Sequence, residues 1–437
     1  MRQPIDSNEA PWQLEAGHDE PAPPLRGEAR ADVTIVGGGL TGISTAYHLA
    51  ERFPERRIAV LEARAVGNGA SGRNGGQILN WINGVSDQDP ELTRRVHAIT
   101  RQGIELGASL AAACDVAWAF AQEGCLEVYT DNARAERAQQ RVERLTGLGI
   151  PLEWIPAARL GFAGACGATA DPLAGRLNAL ALLRAMKRDL LRRGVAIHEH
   201  SAVERIEEGR LVRVRTDRGE IRSPTLVLAT NGYTPALGYF RWGLLPMQAR
   251  VLATGRLDPE GIAELGWGGH VGFSDDLDRI AYGCRTEAGR IVFGGGGNSG
   301  YGYRLGGRAP AAATAPGERR QFDAVEARLR HYFPQLRDVP IEHRWSGVLG
   351  ITLDRVCSMG IGGENGNVLH ALGYSGHGLA LALLAGRVLT DLYAGVHAPW
   401  SDLPFYQRRF RPLPPEPLRW AGYQVYTRLT GRSPRRG

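Results

Sequence analysis

The sequence is almost devoid of lysine. Lys187 is the only lysine among its 52 basic residues, and all the others are arginine. It lies in the amphipathic pattern of residues 182–191, which predicts a helix with Lys187 on its polar face. Enzymes that form a Schiff base with their substrate or with pyridoxal phosphate need a lysine in the active site. The sequence therefore argues against both classes.

Cysteine and long apolar runs are also scarce. The five cysteines are scattered without any C-x-x-C pair, so we expect neither a disulfide framework nor a zinc site, and no bound metal. No apolar run approaches the length of about 18 residues that a membrane-spanning helix needs. The first residues lack the apolar core of a secretory signal peptide, which predicts a cytoplasmic protein.

Concentrated positive charge is missing as well. The net charge is +6 over 437 residues, and only the tail from Arg428 to Arg436 forms a basic cluster. Nucleic-acid binding requires a basic stripe on one face, so we expect no nucleic-acid partner. With 43% hydrophobic residues, the chain can bury the cores of two domains.

What the sequence does contain is a glycine motif of the kind that binds dinucleotides. Gly37, Gly39 and Gly42 form G-x-G-x-x-G between a predicted strand at residues 31–36 and a predicted helix at residues 43–53. The glycines allow a tight turn, close approach of the backbone to a pyrophosphate, and close packing of helix on strand. The helix N-terminus then offers N–H groups to the phosphates. A glycine-rich turn that binds nothing remains an alternative.

An acidic residue and a second glycine-rich stretch follow the motif. Glu62 ends the next predicted strand, where a carboxylate accepts hydrogen bonds from ribose hydroxyls and repels a 2′-phosphate, so NADP is disfavoured. Residues 63–77 are rich in glycine and small residues, with Asn74 and Gln77 as amide donors. This composition predicts backbone wrapped closely around a bulky ring system, although a flexible surface loop has the same composition.

Four blocks of the sequence together resemble one enzyme family. They are Ala31–Gly42, Gly69–Gln77 with the sequence G-A-S-G-R-N-G-G-Q, Ala229–Tyr233, and Gly373–Gly378 with the sequence G-Y-S-G-H-G. In this order and spacing they resemble the FAD-dependent amine and amino-acid oxidases, which include D-amino-acid oxidase, glycine oxidase and sarcosine oxidase. The γ-glutamylputrescine oxidoreductase-like branch has the most similar blocks. The blocks are specific for the family and carry little information about the substrate.

The resemblance implies an α/β fold in which a Rossmann-type FAD-binding domain is interleaved with an α+β substrate domain carrying an antiparallel sheet. Parallel-strand patterns at the front, middle and end of the chain, separated by helical and β-rich insertions, point the same way. The predicted boundaries are residues 1–29 for a surface lead-in, residues 30–88, 171–246 and 343–400 for the FAD-binding domain, residues 89–170 and 247–342 for the substrate domain, and residues 401–437 for a C-terminal basic tail.

The same resemblance implies a non-covalently bound FAD and the residues that hold it. Sarcosine-oxidase-like members attach FAD through a cysteine near the segment that matches residues 348–352, and this sequence has none there. The last helix would begin near His377 and direct its N-terminus at the flavin ring, where negative charge accumulates on reduction. The implied cofactor-binding residues are Gly37, Gly39, Leu40, Thr41, Gly42, Glu62, Ala63, Ser71, Gly72, Arg73, Asn74, Gly75, Gly76, Gln77, Val203, Ala229, Gly376, His377, Gly378 and Leu379.

The family chemistry is the removal of hydride from a carbon next to nitrogen, which gives an imine that water hydrolyses. The resemblance therefore implies an amine or amino-acid substrate, which the protein mainly has to orient. The candidate catalytic residues are Arg285, Tyr282, His377 and Trp345. Arg285 could clamp a substrate carboxylate in a bidentate manner, or be an ordinary surface arginine. A core tryptophan and a satisfied loop histidine remain alternatives for Trp345 and His377.

The electron acceptor stays open at this stage. We expect O2 to be reduced to H2O2, but the lysine that activates dioxygen in sarcosine-oxidase-like members is missing from the matching strand at residues 290–294, where Val292 or a neighbour replaces it. The first alternative is a dehydrogenase that passes electrons to a quinone or carrier. In that case the C-terminal tail of this protein, with Trp420, Tyr423 and Tyr426, would contact a membrane surface weakly. The second is a non-catalytic FAD-binding protein.

Overall fold

The computed structural model describes residues 9–307 and 316–430. Helices and strands alternate along much of this part of the chain. No helix in this part of the chain has both the length and the apolar character to cross a membrane. The α-helices, numbered along the chain, are α1 (Pro11–Glu15), α2 (Leu40–Arg52), α3 (Pro90–Ala113), α4 (Asn132–Thr146), α5 (Ala179–Arg192), α6 (Pro259–Ala263), α7 (Gly297–Gly300), α8 (Pro316–Tyr332), α9 (Leu379–Tyr393) and α10 (Leu418–Thr430).

Apart from β15 and β20 the strands are short, and within the described residues they belong to four sheets. In chain order they are β1 (Gly27–Arg30), β2 (Val33–Val36), β3 (Ile58–Leu61), β4 (Gln77–Ile78), β5 (Phe120–Ala121), β6 (Cys125–Tyr129), β7 (Glu153–Pro156), β8 (Gly167–Asp171), β9 (Gly175–Leu177), β10 (Ala196–His198), β11 (Val203–Glu207), β12 (Val212–Thr216), β13 (Gly219–Ser223), β14 (Thr225–Leu228), β15 (Leu245–Arg256), β16 (Gly272–Asp275), β17 (Ala281–Arg285), β18 (Arg290–Gly295), β19 (Tyr301–Gly302), β20 (Ile341–Ile351), β21 (Ser358–Gly362) and β22 (Val368–Leu372).

A six-stranded sheet contains the parallel strands predicted from the sequence. Its order is β10-β3-β2-β14-β22-β21, and all neighbours run parallel except β22 and β21. Every residue of β2, β3 and β22 is buried, as expected for strands covered on both faces. α2 and α9 pack on this sheet and on each other. The mixed α/β fold expected from the sequence is confirmed.

The strand order reverses at β2. The next strand along the chain, β3, lies on one side of β2, and the much later β14 lies on the other. Open α/β sheets bind ligands in the crevice at such a reversal, outside the carboxyl ends of the strands. The residues that follow β2, β3 and β14 therefore meet at the edge where a ligand is expected.

The second large sheet is nine-stranded and mainly antiparallel. Its order is β19-β15-β18-β17-β16-β6-β8-β7, with β20 paired to β15, and only β6 and β16 run parallel to each other. α8 packs against β15 and β18. The hydrophobic cluster beneath is built largely from the aromatic rings of Phe162, Phe273, Phe293, Tyr332 and Phe333. Two smaller sheets, β1-β13-β12-β11 and β4-β9-β5, complete the fold.

At two places, residues on opposite sides of a predicted domain boundary pack together or share a strand, and the boundaries there stay predictions. α3, which the sequence assigns to the substrate domain, buries Val96, Ile104 and Leu110 in the same hydrophobic cluster as residues of α2 and α9. β20 runs from residue 341 to residue 351 and so crosses the boundary predicted between residues 342 and 343. The other boundaries stay predictions.

The predicted surface lead-in is built into the protein. Trp12 of α1 is 1% exposed, and its indole Nε1–H donates to the carbonyl of Asn74 at 2.9 Å. β1 pairs parallel with β13. Most of residues 9–29 are exposed or half-buried, and Trp12 anchors the segment, because an indole buries a large apolar area and finds its hydrogen-bond partner in the interior.

Lys187 also differs from the expectation. Its side chain is 1% exposed, and Nζ donates to carboxylate oxygens of Asp19 and Glu199 at 2.8 Å each. The prediction of a lysine on a solvated face is wrong, because the lead-in covers that face of α5. A buried ammonium is tolerated only when it is paired in this way. Because Lys187 is held by two carboxylates in the interior, the argument against Schiff-base chemistry still holds.

Candidate functional site

The turn after β2 leaves no space for side chains. Gly37 has a φ of +111°, and a Cβ there would lie 2.7 Å from the carbonyl oxygen of Ala229, directly after β14. A Cβ at Gly42 would lie 1.9 Å from the carbonyl oxygen of Gly37. Only glycine fits at these two positions, so the backbone of β2, α2 and β14 comes together as the motif predicts.

The N-terminus of α2 faces two oxygen-bearing side chains. Gly39 precedes the helix and offers no side-chain cap. The N–H of Leu40 donates to Ser71 Oγ at 3.0 Å, and the N–H of Gly38 donates to Glu62 Oε2 at 2.8 Å. Burial raises the pKa of Glu62, since the carboxylate loses water there. The backbone N–H groups that a phosphate would use at this helix N-terminus therefore face the polar side chains of Ser71 and Glu62.

Two indole groups hold the glycine-rich loop that follows β3. The N–H of Trp12 donates to the carbonyl of Asn74, and the N–H of Trp345 donates to the carbonyl of Arg73, both at 2.9 Å. The Asn74 side chain bonds within the loop, accepting from the N–H of Gly76 at 2.8 Å. The loop is therefore anchored by side chains of α1 and β20, which supports the interpretation of a cofactor-binding loop over that of a free surface loop.

These residues fit a dinucleotide such as FAD. The turn admits no Cβ at Gly37 or Gly42, Gly39 supplies no side chain to the helix N-terminus, and the Glu62 carboxylate lies directly after β3. The backbone of residues 37–42, Glu62 and the loop of residues 69–77 would hold the cofactor, as the resemblance implies. Val203 begins β11, two residues after Ser201, whose N–H donates to the Glu62 carbonyl at 2.8 Å. The amide of Gln77 instead donates to the carbonyl of Phe273, at 3.0 Å.

A tight turn from Gly373 to Gly378 connects β22 to α9. Ser375 has a φ of +52°, an unusual value for a residue with a side chain, and its Oγ accepts from the N–H of Thr352 at 3.2 Å. The Tyr374 hydroxyl is 2.7 Å from Thr41 Oγ1 in the first turn of α2. The turn is therefore hydrogen-bonded directly to the helix that starts at the glycine motif.

A cavity of about 1290 Å³ opens beside this turn. Ser375, Gly376 and His377 form part of its wall, together with residues of β6, β8, α3, α4 and α10. Burial raises the pKa of Asp171 in this wall to about 6. The charged lining residues are Glu127, Arg134, Arg137, Arg141, Asp171, Asp276, Asp278, Arg279, Arg328 and Arg355. The cavity is thus large and carries both signs of charge.

Of the four candidate catalytic residues, His377 is the one that lies in the cavity wall. Its Nδ1 has no hydrogen-bond partner among the described residues. Burial, and to a smaller degree Arg355, lowers the pKa of His377 to about 4. The imidazole is therefore neutral at neutral pH and adds no positive charge to the wall. Gly376 lies beside it in the lining, and Gly378 and Leu379 begin the helix behind it.

The other three candidate catalytic residues do not line the cavity. Arg285 forms an ion pair with Glu123, with 2.5 Å between Nη2 and Oε2. The ring of Tyr282 packs so closely on Gly75 and Gly294 that a Cβ at either glycine would lie 2.5 Å from it. Trp345 is fully buried and, as above, supports the loop through Arg73. Their predicted roles at the substrate stay predictions, and this placement gives Trp345 a structural task.

Sequence reasoning missed most of the cavity. Its wall includes Asn80 and His97 near the start of α3, three arginines of α4, and Tyr426 and Leu429 of α10. The spacing of Arg134, Arg137 and Arg141 at three and four residues places them on one helical face, which was a usable signal. Nothing in the sequence distinguished His97 from an ordinary helix residue.

The C-terminal helix packs on the substrate-side wall. The guanidinium of Arg279 lies 5.5 Å from the ring centre of Tyr423 and 5.2 Å from that of Tyr426. The Tyr426 hydroxyl donates to Asp278 Oδ2 at 2.5 Å. Two of the three aromatic residues proposed for membrane contact, Tyr423 and Tyr426, therefore contact the protein itself. Nothing in the described part of the structure supports a membrane contact.

Comparisons with known proteins agree with this geometry. The DAO family model, described as FAD dependent oxidoreductase, matches residues 32–392. Gamma-glutamylputrescine oxidoreductase of Escherichia coli (strain K12) is 29% identical over 378 residues, which cover 83% of this chain and 84% of the relative. The matched family region ends before α10 begins.

Two solved structures are similar in fold. Glycine oxidase from Geobacillus kaustophilus has a TM-score of 0.70 and 20% identity, covering 84% of this chain and 95% of that one. L-proline dehydrogenase from P. horikoshii has a TM-score of 0.69 and 21% identity, covering 87% of this chain and 96% of that one. At these identities the two structures bear on the fold alone.

Proposed function

The chain belongs to the DAO family of FAD-dependent oxidoreductases, and from that premise we propose that it oxidises a γ-glutamylated diamine or a similar long amine, with O2 reduced to H2O2. Its general class is not in question: it is an FAD-dependent enzyme of the amine and amino-acid oxidase kind, acting on CH–NH donors. The proposal concerns the substrate and the electron acceptor.

One observation carries the proposal. The Gly373–Gly378 turn bonds to α2 through Tyr374 and Thr41, and three of its residues line the cavity. The residues that would hold the cofactor are therefore joined to the cavity wall through a single short segment. This arrangement supports the cavity as the place where the amine is oxidised.

The cavity supports a long substrate with groups of both charges. The volume of about 1290 Å³ includes the space that a flavin beside the Gly373–Gly378 turn would fill, so the charges of the wall, rather than its volume, support the substrate class. Arg137 and Arg279 in its wall can pair with a carboxylate, while Glu127 and Asp171 can pair with an ammonium group. A γ-glutamylated diamine carries both kinds of group, and the relative with 29% identity is named for such a substrate.

When bound, FAD supplies the electron-accepting chemistry, and the protein supplies orientation and charge. The neutral His377 imidazole can hydrogen-bond an amine without repelling it. The charged wall would orient the two ends of the substrate, and the start of α9 would favour negative charge in front of it.

A dehydrogenase is the second candidate, and one residue favours it. Val292 lies on the strand where sarcosine-oxidase-like members are expected to carry the oxygen-activating lysine. It is fully buried among Val251, Ala253 and Trp345. An apolar residue there supplies no positive charge for dioxygen. The fold neighbour from P. horikoshii is named as a dehydrogenase.

Turnover with a panel of amines separates the two candidates. The purified holoenzyme is mixed with γ-glutamylputrescine, putrescine, sarcosine, glycine and L-proline, first in air and then with an artificial dye acceptor. The proposal predicts peroxide in amounts equal to the amine consumed, with γ-glutamylputrescine preferred. Dye reduction without peroxide would establish the dehydrogenase, and no reaction under either condition would contradict both candidates.

We also propose that FAD is held without a covalent bond. Cys357, which lies after the matching segment, is 1% exposed at the start of β21, and burial raises the pKa of its thiol to about 12. A thiol that stays protonated is a poor nucleophile toward a flavin. Acid precipitation should release all the yellow colour into the supernatant, whereas colour in the pellet would show a covalent link.

A further inference from the structure

Most charged side chains of the cavity wall already have partners within the protein. Three ion pairs account for six of them: Arg134 with Asp276 at 3.3 Å, Arg141 with Glu127 at 3.7 Å, and Arg355 with Asp278 at 3.4 Å. Two further arginines contact tyrosines, since Arg328 donates to the Tyr332 hydroxyl at 3.2 Å and Arg279 lies over the two α10 rings. Two charged residues of the wall remain, Arg137 and Asp171.

Arg137 is the unpaired cation. It lies on the same face of α4 as Arg134 and Arg141, three residues after the first and four before the second. Unlike them it is exposed, and it makes no ion pair, hydrogen bond or ring contact with any described residue. Its guanidinium can therefore bind a carboxylate in a bidentate manner without breaking an existing contact.

Asp171 is the unpaired carboxylate. It ends β8 and is half-buried, and its Oδ1 accepts from the N–H of Leu173 at 2.9 Å, with no ion pair among the described residues. Burial raises the pKa of Asp171 to about 6, so the group is mainly ionised at neutral pH. An ammonium group in the cavity would supply the charged partner that the protein does not.

The position of Asp171 is next to the loop that would hold the flavin. Asp171 lies opposite Cys125 in the pair of β8 and β6, and Cys125 lies opposite Gly272 in the pair of β6 and β16. A Cβ at Gly272 would lie 2.8 Å from Nε2 of Gln77, the last residue of that loop. Asp171 is therefore at the cofactor end of the cavity.

The backbone of Arg137 lies toward the other end of β6. The neighbouring residue on α4, Ala138, packs with Tyr129, the last residue of β6. Cys125 and Tyr129 are four residues apart on this strand, which corresponds to about 13 Å. The two unpaired charges thus start from opposite ends of one strand, with the sign that favours an amine at the cofactor end.

We propose that Asp171 binds the ammonium group of the amine that is oxidised, and that Arg137 binds a carboxylate at the other end of the same substrate. This rests on the proposed function, because it places the substrate in the same cavity. The substrate class is thereby narrowed to long amines that carry a carboxylate far from the oxidised carbon. Alkylamines and diamines lack the carboxylate, and short amino acids do not span the distance.

Two unreactive probes test each charge separately. Valerate has a carboxylate but no C–N bond, and tert-butylamine has no hydrogen on the carbon next to nitrogen, so neither can lose hydride. Binding of each to the holoenzyme is measured by calorimetry in wild type, Arg137→Gln, Asp171→Asn and Arg188→Gln. Arg188 is the matched control: it is an exposed arginine of α5 without an ion pair among the described residues, and it does not line the cavity.

We expect each variant to lose affinity for one probe only. Arg137→Gln should weaken valerate by about 10-fold and leave tert-butylamine unchanged, and Asp171→Asn should do the reverse, at the low end for a hydrogen bond to a charged group. Arg188→Gln should bind both like wild type. Wild-type affinity of Arg137→Gln for valerate or of Asp171→Asn for tert-butylamine, or no binding of either probe to wild type, would overturn the proposal.

A matched pair of substrates covers the case in which a variant does not fold. 8-Aminooctanoate and octylamine have the same chain length and differ in the terminal carboxylate. Wild type should have the higher kcat/KM for 8-aminooctanoate, and Arg137→Gln should lose about 10-fold of that preference through KM. Equal kcat/KM for the two amines in wild type contradicts the proposal. Failure of the proposed function is a different result: no amine is oxidised, while the two probes still bind through Arg137 and Asp171.

Discussion

The glycine cradle around residues 37–42 and the charged cavity beside His377 are built on different principles. The cradle is backbone: its shape depends on positions where a single added carbon would lie within 3 Å of another main-chain atom. The cavity wall is formed mainly by side chains, which come from α3, α4, β6, β8, α10, a loop before β17 and other elements. Gly37 and Gly42 of the cradle admit no side chain, whereas the side chains of the cavity wall can change residue by residue.

This difference separates what the family shares from what is particular to this chain. A backbone cradle fixes the cofactor and hence the type of chemistry. A wall assembled from many elements would select the substrate, and α10, which is one of them, lies outside the region that matches the family. We therefore expect substitutions in the cradle to abolish cofactor binding and substitutions in the wall to change specificity.

The largest effect is expected at Gly42. In Gly42→Ala the new Cβ would meet the Gly37 carbonyl oxygen, and strain of about 3 kcal/mol corresponds to a loss of roughly 100-fold in FAD affinity. Gly147→Ala is the control, because the nearest atom to a Cβ there is 3.4 Å away and its φ is −61°. Flavin content after dialysis checks both variants. Full flavin in Gly42→Ala would mean that the cradle is less rigid than described.

His377→Gln should come next in size. We expect turnover to fall by about 10-fold, as for the loss of one hydrogen bond that orients the amine, while the flavin content stays at the wild-type level. Protonation of His377 would place a positive charge in the cavity wall. Because the pKa of His377 is about 4, this protonation should lower activity only as the pH drops toward about 4 and should have no effect between pH 6 and 8. Steady-state kinetics and flavin absorbance check this prediction. Loss of flavin instead would show that the two regions are not separable.

Shortening the α10 side chains should have a smaller, selective effect. In the double variant Tyr426→Ala, Leu429→Ala, KM for a long amine should rise by about 3- to 10-fold through lost apolar contact, with kcat and short amines unaffected. Val425→Ala is the control, because Val425 is 55% exposed on the same helix and does not line the cavity. Equal changes for long and short amines would exclude α10 from the substrate wall.

The smallest effect is expected at Arg285, one of the candidate catalytic residues named from the sequence. Its guanidinium pairs with Glu123 outside the cavity wall, and a surface ion pair of this kind contributes about 0–1 kcal/mol to stability. Arg285→Ala should keep kcat/KM within about twofold of wild type and leave the flavin in place. Arg279→Ala is measured beside it for comparison, because Arg279 lies in the cavity wall and Arg285 does not. A large loss in Arg285→Ala alone would restore the carboxylate clamp.

The sequence predicted the cradle well for a physical reason. Gly37, Gly39 and Gly42 act through the backbone of neighbouring positions, so their spacing alone describes the turn. The cavity wall could not be predicted this way, since it collects side chains from elements that are distant in the sequence. Lys187 and Trp12 were misplaced for a related reason: burial depends on what covers a helix face, and the lead-in covers α5.

The most direct test of the account is anaerobic mixing of the holoenzyme with its best amine while the visible flavin band is recorded. The account predicts that the amine bleaches the band in wild type, that His377→Gln slows bleaching without loss of bound flavin, and that Arg285→Ala bleaches like wild type. A protein that is purified without colour and takes up no added FAD, or a flavin that no amine bleaches, would contradict it.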